Sequence, residues 1–147
     1  MCKLFCRTIS CFLSAAFVFS AASGASAFEI RSEEPVNEED APEYIYYFSR
    51  ENPYNTFGCQ MPNCTAYAWG RTFEATGEKP SLSLNNAGRW YGENIASGAY
   101  SYGCEPREGA VLCYDKYDEI HGHVAFTEEV LDGGASVRLS ESQFRGD

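Results

Sequence analysis

One stretch of the chain carries most of the structural information: Asn63-Cys64-Thr65-Ala66-Tyr67-Ala68-Trp69-Gly70-Arg71. Asn63 is a good N-cap, because its side-chain oxygen can accept a hydrogen bond from a backbone N–H of the first helical turn. We therefore predict a helix that begins at Cys64 and runs to about Thr76. Gly77 follows as a C-terminal stop, since glycine adopts the left-handed conformation at little cost.

The residues around this helix predict an α+β fold. A second helix is expected over residues 86–95, ended by Gly98. The hydrophobic pattern then changes to short apolar or alternating runs, separated by loops rich in aspartate and glycine, which is typical of strands and hairpins. These runs span 109–114, 123–130 and 136–139. Helices followed by a small antiparallel sheet form an α+β architecture.

The first residues resemble a secretory signal. Lys3 and Arg7 supply a basic start, residues 9–22 are apolar, and Ala25-Ser26-Ala27 fits a small-residue cleavage site. We predict that residues 1–27 are a signal peptide and that the mature chain begins near Phe28. The apolar run is shorter than the roughly 20 residues that a membrane-spanning helix needs, so we expect no membrane span in the mature form.

The net charge restricts the classes of partner. At −10 for 147 residues, the chain has no electrostatic attraction for nucleic acid, so we expect no nucleic-acid partner. Much of the acidity lies in residues 28–43, which combine many carboxylates with prolines and few apolar side chains. Such a composition predicts a disordered acidic segment, and we expect the folded domain to span residues 44–147.

Four cysteines follow the predicted signal peptide: Cys59, Cys64, Cys104 and Cys113. A secreted chain folds in an oxidising compartment, where spare thiols pair. If Cys64 is a nucleophile it must stay reduced, and Cys113 lies in an apolar run where a cysteine behaves as a small buried hydrophobe. We therefore predict a disulfide between Cys59 and Cys104. The alternative that all four cysteines form two disulfides stays open.

Cys64 is a candidate nucleophile because of its position. At the first turn of a helix, the unsatisfied N–H groups and the helix dipole favour the thiolate over the thiol. The same N–H groups can receive the negative charge that develops on a carbonyl oxygen under attack. The plain alternative is a structural cysteine that merely begins a helix.

His121 and His123 are the chain's two histidines. His123 begins a predicted buried strand, which suits a general base, whereas His121 lies in the preceding loop. Glu141 follows another predicted strand, from which it can accept the imidazole N–H of His123 and fix its tautomer. Gln143 would share a face with Glu141 and supply a second polar contact.

Two alternatives compete with this catalytic interpretation. The histidines share a strand face and could bind a metal together with Cys113 or a carboxylate, although no Cys-x-x-Cys or His-Glu-x-x-His pattern supports such a site. Glu141 and Gln143 could equally form a polar strand face in water.

Four blocks of sequence resemble the CHAP family, the cysteine- and histidine-dependent amidohydrolases and peptidases of bacterial cell walls. The first is the cysteine block at 63–71, and the second is the Asn-Ala and tryptophan block at 85–91. The third combines the turn and strand at 106–111 with the histidine block at 122–128, and the fourth is the Ser-Glu block at 139–144. The match extends from about Asn52 to the C-terminus.

The resemblance implies a papain-like fold in which N-terminal helices pack on a small antiparallel sheet. It implies that Cys64 is the nucleophile, His123 the base, Glu141 the orienting carboxylate and Gln143 a fourth catalytic residue. The reaction would be hydrolysis of a peptidoglycan amide, either the muramoyl-L-alanine bond or a peptide bond, through a thioester.

The resemblance also shapes our expectations about partners. We expect Trp90 and Tyr67 to bind substrate, no cofactor to be needed, and the protein to be a monomer that is secreted and associated with the cell wall. A non-catalytic wall-binding or adhesion domain with the same fold is the alternative.

The chain departs from the family pattern at three points. Gln143 stands where the family often has asparagine. The loop before Cys64 offers Glu51, Asn52 and Asn55, too few carboxylates for the calcium site of some members. Relatives usually continue into a further strand beyond the position of Asp147, so the alternative that the chain is a fragment with an incomplete sheet stays open.

Overall fold

The structure is a computed structural model that describes residues 5–7, 15–19, 28–114 and 121–143. Its helices are α1 (Tyr44–Tyr47), α2 (Cys64–Thr76) and α3 (Ala87–Ser97), and a 3-10 turn covers Pro53–Thr56. Its strands are β1 (Phe5–Arg7), β2 (Ala15–Phe19), β3 (Ser101–Gly103), β4 (Ala110–Tyr114), β5 (His123–Leu131) and β6 (Ser136–Ser140).

The strands form one sheet in the order β1-β6-β5-β4-β2-β3, and every neighbouring pair is antiparallel. The predicted α+β class, with helices packed on an antiparallel sheet, is confirmed. The three predicted runs correspond to β4, β5 and β6. Strands β1 and β2 lie within the segment predicted to be a signal peptide, and the domain boundaries drawn from the sequence stay a prediction.

Helix α2 begins and ends where its caps predict. Asn63 is extended, with φ −161° and ψ 138°, and its side chain accepts a hydrogen bond from the Thr65 N–H at 3.0 Å. Gly77 adopts a left-handed φ of 72° and its N–H donates to the Phe73 carbonyl. Every residue from 65 to 72 is buried, because α2 is covered by α1 on one side and contacts β5 on another.

Gly70 sets the distance between α1 and α2. A Cβ at this position would lie 2.7 Å from the Tyr46 carbonyl oxygen and 2.8 Å from a ring carbon of Tyr47, closer than real contacts allow. The Gly-Arg pair that closes the cysteine block is therefore a packing requirement as well as a sequence signature.

Arg71 forms a buried ion pair with Glu128. Its Nε and Nη2 donate to the two carboxylate oxygens at 2.8 and 2.7 Å, which joins α2 to β5. The β5–β6 register shifts between Thr127 and Glu129, so Glu128 is the extra residue of a β-bulge. Bulges redirect side chains. Here the redirected carboxylate also accepts from the Ser140 hydroxyl on β6.

The start of the acidic segment contacts the domain. The Phe28 ring packs edge-on against Phe126 with centroids 5.3 Å apart, and the Glu29 carbonyl accepts from Arg71 Nη2 at 2.6 Å. The Arg31 guanidinium pairs with Glu74 on α2. The start of the segment carries its one aromatic and its one basic side chain, Phe28 and Arg31, and both contact the domain.

The predicted Cys59–Cys104 disulfide is wrong, because both residues are free, exposed cysteines. They lie apart in the fold: Cys59 lines a cleft in front of α2, while Cys104 follows β3 at the sheet edge. Cys113 is buried and free, as expected for a small core hydrophobe, and burial raises the pKa of its thiol to about 12. No helix in the described residues is both long and apolar enough to cross a membrane.

Candidate active site

A cleft of about 640 Å³ opens in front of the N-terminus of α2. Cys64, the first residue of α2, is half-buried at its base. The Asn63 side chain holds this end of the helix, since its Oδ1 accepts from both the N–H and the hydroxyl of Thr65, at 3.0 and 2.8 Å. Described residues that line the cleft are Tyr54, Phe57, Cys59, Asn63, Cys64, Thr65, Leu84, Asn85, Asn86, Ala87, Arg89, His121, Gly122, His123 and Gln143.

His123 and Glu141 meet because β5 and β6 are antiparallel neighbours. Phe126 pairs with Ser140, so the same register continued past β6 sets Glu141 diagonally across from His123 on one face. Their side chains are hydrogen-bonded, with His123 Nε2 and Glu141 Oε2 2.8 Å apart, and both are buried. The sequence predicted this contact.

The other ring nitrogen of His123 is directed to Cys64, whose side chain is hydrogen-bonded to the imidazole. Because Nε2 contacts Glu141, the nitrogen left for the thiol is Nδ1. Burial alone would lower the pKa of His123, but the hydrogen bonds and charges of Cys64 and Glu141 raise it to about 9. The arrangement therefore favours an imidazolium at neutral pH, held between a carboxylate and a sulfur.

Gln143 lines the same cleft, on the strand extension that carries Glu141. The structure thus brings the four predicted catalytic residues to one place: three in a hydrogen-bonded series and Gln143 beside them. Their roles in a reaction stay a prediction.

Two glycines fix the histidine loop against α3. The N–H of Gly88 donates to the His121 carbonyl at 2.8 Å. Gly122 has a left-handed φ of 68°, and a Cβ there would lie 2.4 Å from the Gly88 backbone. Only glycine fits this approach, which holds the segment before His123 in place.

The expectation that Tyr67 and Trp90 bind substrate is wrong for this structure. Tyr67 is 0% and Trp90 2% exposed, and neither lines the cleft. Tyr67 packs against Tyr47, with ring centroids 5.5 Å apart. Trp90 donates its indole N–H to the Asn85 carbonyl at 2.9 Å, so it supports a cleft wall from behind.

Nothing in the sequence indicated that Phe57, Leu84 or Arg89 belongs to the cleft. Phe57 and Leu84 are 60% and 49% exposed, and Arg89, on α3, lines the same cleft. Phe57 and Leu84 occupy loops without periodicity, where sequence carries no signal of orientation. The metal-binding alternative gains no support, since the described residues hold no group of three His, Cys, Asp or Glu side chains arranged for a metal.

A family model described as the CHAP domain matches residues 53–143, more than half of the chain. The chain belongs to the CHAP domain family. The matched region of this CHAP domain includes Cys64, His123, Glu141 and the whole described lining of the cleft. CHAP domains are generally hydrolases, and peptidoglycan is the substrate that the family implies. Searches of curated protein sequences and of solved structures find no match to the chain.

Proposed function

We propose that this CHAP domain protein is a secreted hydrolase that cleaves a peptidoglycan amide through the thiolate of Cys64. The observation that carries the proposal is the hydrogen-bonded series Cys64, His123, Glu141 at the base of an open cleft. Nucleophile, base and orienting carboxylate within hydrogen-bond reach form the arrangement used by cysteine hydrolases. The leader-like residues 1–27 support export to the compartment where the wall lies.

The proposed acylation starts from a thiolate and an imidazolium. Cys64 Sγ attacks the amide carbonyl carbon, and the oxygen becomes an oxyanion. The N–H of Thr65 is occupied by Asn63, so the backbone N–H of Cys64 is the first-turn donor best suited to this oxygen. His123 then gives the Nδ1 proton to the departing nitrogen. The amine leaves, and a thioester to Cys64 remains.

The second half of the reaction restores the site. His123, now neutral, accepts a proton from a water molecule that attacks the thioester carbon. The C–S bond breaks, the acyl group leaves as a carboxylic acid that loses its proton to solvent, and thiolate and imidazolium are regenerated. Glu141 bonds Nε2 throughout, which stabilises the imidazolium and keeps Nδ1 directed at sulfur.

Digestion of purified peptidoglycan by the full chain tests the proposal. Mass spectrometry of the new termini distinguishes a muramoyl-L-alanine amidase, which frees the amine of the first stem residue, from an endopeptidase, which frees one further along. Cys64→Ala should reduce the rate at least about 10³-fold. Cys104→Ser is the matched control, because that thiol is free, exposed and outside the cleft lining.

A binding or adhesion role would give a different result. In that case Cys64 should react with an alkylating agent no faster than Cys104 at pH 6, and Cys64→Ala should leave binding to peptidoglycan unchanged. Equal digestion by the parent and by Cys64→Ala would overturn the proposed mechanism.

A further inference from the structure

The charge of the cleft differs from the charge of the chain. Asp and Glu supply 21 residues of the sequence against 11 Lys and Arg. None of the described residues that line the cleft is an Asp or Glu. The charged side chains of that lining are Arg89 and the His123 imidazolium, whose charge is offset by Glu141 and by the proposed Cys64 thiolate. Arg89 is therefore the permanent cation of the described cleft lining.

One ion pair holds Arg89 in place without using all of the N–H donors of its guanidinium. Its Nε lies 2.9 Å from Glu93 Oε1, one helical turn along α3, and its side chain is 69% exposed. Glu93 is its ion-pair partner within the described part of the chain, which leaves the Nη1 and Nη2 edge of the guanidinium for a ligand. That edge carries parallel N–H donors that match the two oxygens of a carboxylate.

Glu93 is engaged by several donors. Both carboxylate oxygens accept from Asn85 Nδ2, at 2.9 and 3.0 Å. Oε2 also accepts from the Ser83 hydroxyl, and Oε1 lies 2.9 Å from Arg89 Nε. Ser83 and Asn85 thus hold Glu93 in place, and Glu93 anchors the Nε side of the guanidinium.

The fold fixes the backbone of Arg89 relative to the histidine loop. Arg89 follows Gly88, whose N–H donates to the His121 carbonyl, and the Gly88–Gly122 contact holds α3 against the loop before His123. A substrate whose amide lies at Cys64 therefore shares the cleft with the Arg89 side chain. Phe57 and Leu84 supply exposed apolar surface in the same lining.

We propose that Arg89 is a specificity-determining residue that binds a free carboxylate of the peptidoglycan stem peptide next to the scissile amide. The inference rests on the proposed function for the identity of the substrate. It predicts that stems with free carboxylates are preferred over stems in which the same groups are carboxamides. An amide keeps the shape of the ligand but lacks the charge that the guanidinium recognises.

Binding to the full chain carrying Cys64→Ala tests this inference without any turnover. The probes are two synthetic stem tetrapeptides, one with free carboxylates and one with carboxamides in their place, titrated by NMR at low salt. The carboxylate form should bind about 5- to 10-fold more tightly. Adding Arg89→Gln should remove that preference by weakening the carboxylate peptide alone. Lys79→Gln is the matched control, since it removes one positive charge from a surface pair with Glu51 outside the cleft lining.

The outcomes separate the two proposals. Equal binding of the two peptides, binding of neither, or a preference that survives Arg89→Gln overturns the role of Arg89, even if the parent digests peptidoglycan. A carboxylate preference that depends on Arg89, in a protein that digests no peptidoglycan, supports the binding role and overturns the proposed hydrolysis. In an active parent, Arg89→Gln should raise KM for the carboxylate substrate about 5- to 10-fold with little change in kcat.

Discussion

Helix α2 is joined to strands β5 and β6 by two clusters of polar and charged groups, which differ in whether they reach the cleft. Near the middle of the helix, Arg71 pairs with Glu128, and Ser140 adds a donor. At the N-terminus of the helix, His123 pairs with Glu141 and with Cys64.

The first cluster is saturated. Arg71 makes hydrogen bonds to Glu128, to Glu74 and to the Glu29 carbonyl, and Glu128 also accepts from the Arg31 N–H. No group in it faces the cleft. The second cluster leaves Cys64 half-buried at the base of the cleft. The cluster that lies away from the cleft thus contributes to stability, and the cluster that reaches the cleft at Cys64 permits chemistry.

Replacing Glu141 should show the difference between the two clusters most clearly. Glu141→Gln keeps the shape of the side chain but removes the charge that stabilises the imidazolium, so kcat should fall roughly 10³- to 10⁴-fold. The free energy of unfolding should fall less than for a variant of the Arg71 cluster, because His123 can lose its proton when its counter-charge is removed whereas Arg71 cannot. Glu51→Gln, an exposed partner of Lys79, is the control for both measurements. Full activity of Glu141→Gln on peptidoglycan would show that the carboxylate is only structural.

The corresponding change in the saturated cluster should act on stability. Glu128→Gln removes the fully buried carboxylate that pairs with Arg71 and leaves only Glu74, which is partly exposed, so the free energy of unfolding should fall by about 3 to 5 kcal/mol in urea denaturation. The neighbouring Glu129→Gln is the matched control, because its partner Arg138 is partly exposed and such pairs contribute about 1 kcal/mol or less. Equal losses for the two variants would contradict the distinction.

The loop before His123, which positions the second cluster, should tolerate no Cβ at Gly122. Gly122→Ala forces a left-handed residue to carry a Cβ 2.4 Å from Gly88, so we expect a loss of about 3 kcal/mol in unfolding free energy and reduced activity. Gly92→Ala is the control on α3, where a Cβ meets nothing within 4 Å and should stabilise the helix by about 0.5 to 1 kcal/mol. Gly122→Ala with parental stability would mean that the close approach is not required.

The pH dependence of stability gives the smallest effect. The pKa of His123 is raised from 6.5 to about 9, so its protonated form stabilises the fold. This contribution is complete below about pH 6.5 and is lost as pH rises through 9, a decrease of about 1 to 3 kcal/mol. Urea denaturation at several pH values measures it. The decrease should disappear in His123→Ala and persist in His121→Ala, and a parental stability that rises over this range would contradict the assignment.

The parts of the fold that depend on local chemistry were predictable. Asn63 and Gly77 marked the ends of α2, and strand periodicity located β5 and β6, which made the His123–Glu141 contact predictable across one antiparallel ladder. The sequence did not predict the ion pair between Arg71 and Glu128. Periodicity assigns a residue to a helix face but does not identify a partner 57 residues away, and a β-bulge redirects Glu128.

The errors concern side chains whose environment depends on the whole fold. Tyr67 and Trp90 were expected at the surface of the site, yet the packing of α1 and of the cleft wall covers them. The Cys59–Cys104 bridge followed from counting thiols in an oxidising compartment, and counting carries no distances. Arg89 stood within a recognised block, but its place in the cleft follows from how α3 meets the histidine loop.

The contact between Gly88 and Gly122 has a consequence for redesign. Because of this contact, α3 and the histidine loop move together. A substitution that shifts α3 in the cleft wall therefore also moves His123, the proposed base. Phe57 lies in a loop on the chain segment before α2, outside both α3 and the histidine loop. New substrate preferences should therefore be sought by varying Phe57 first, where the width of the cleft can change while the catalytic distances stay fixed.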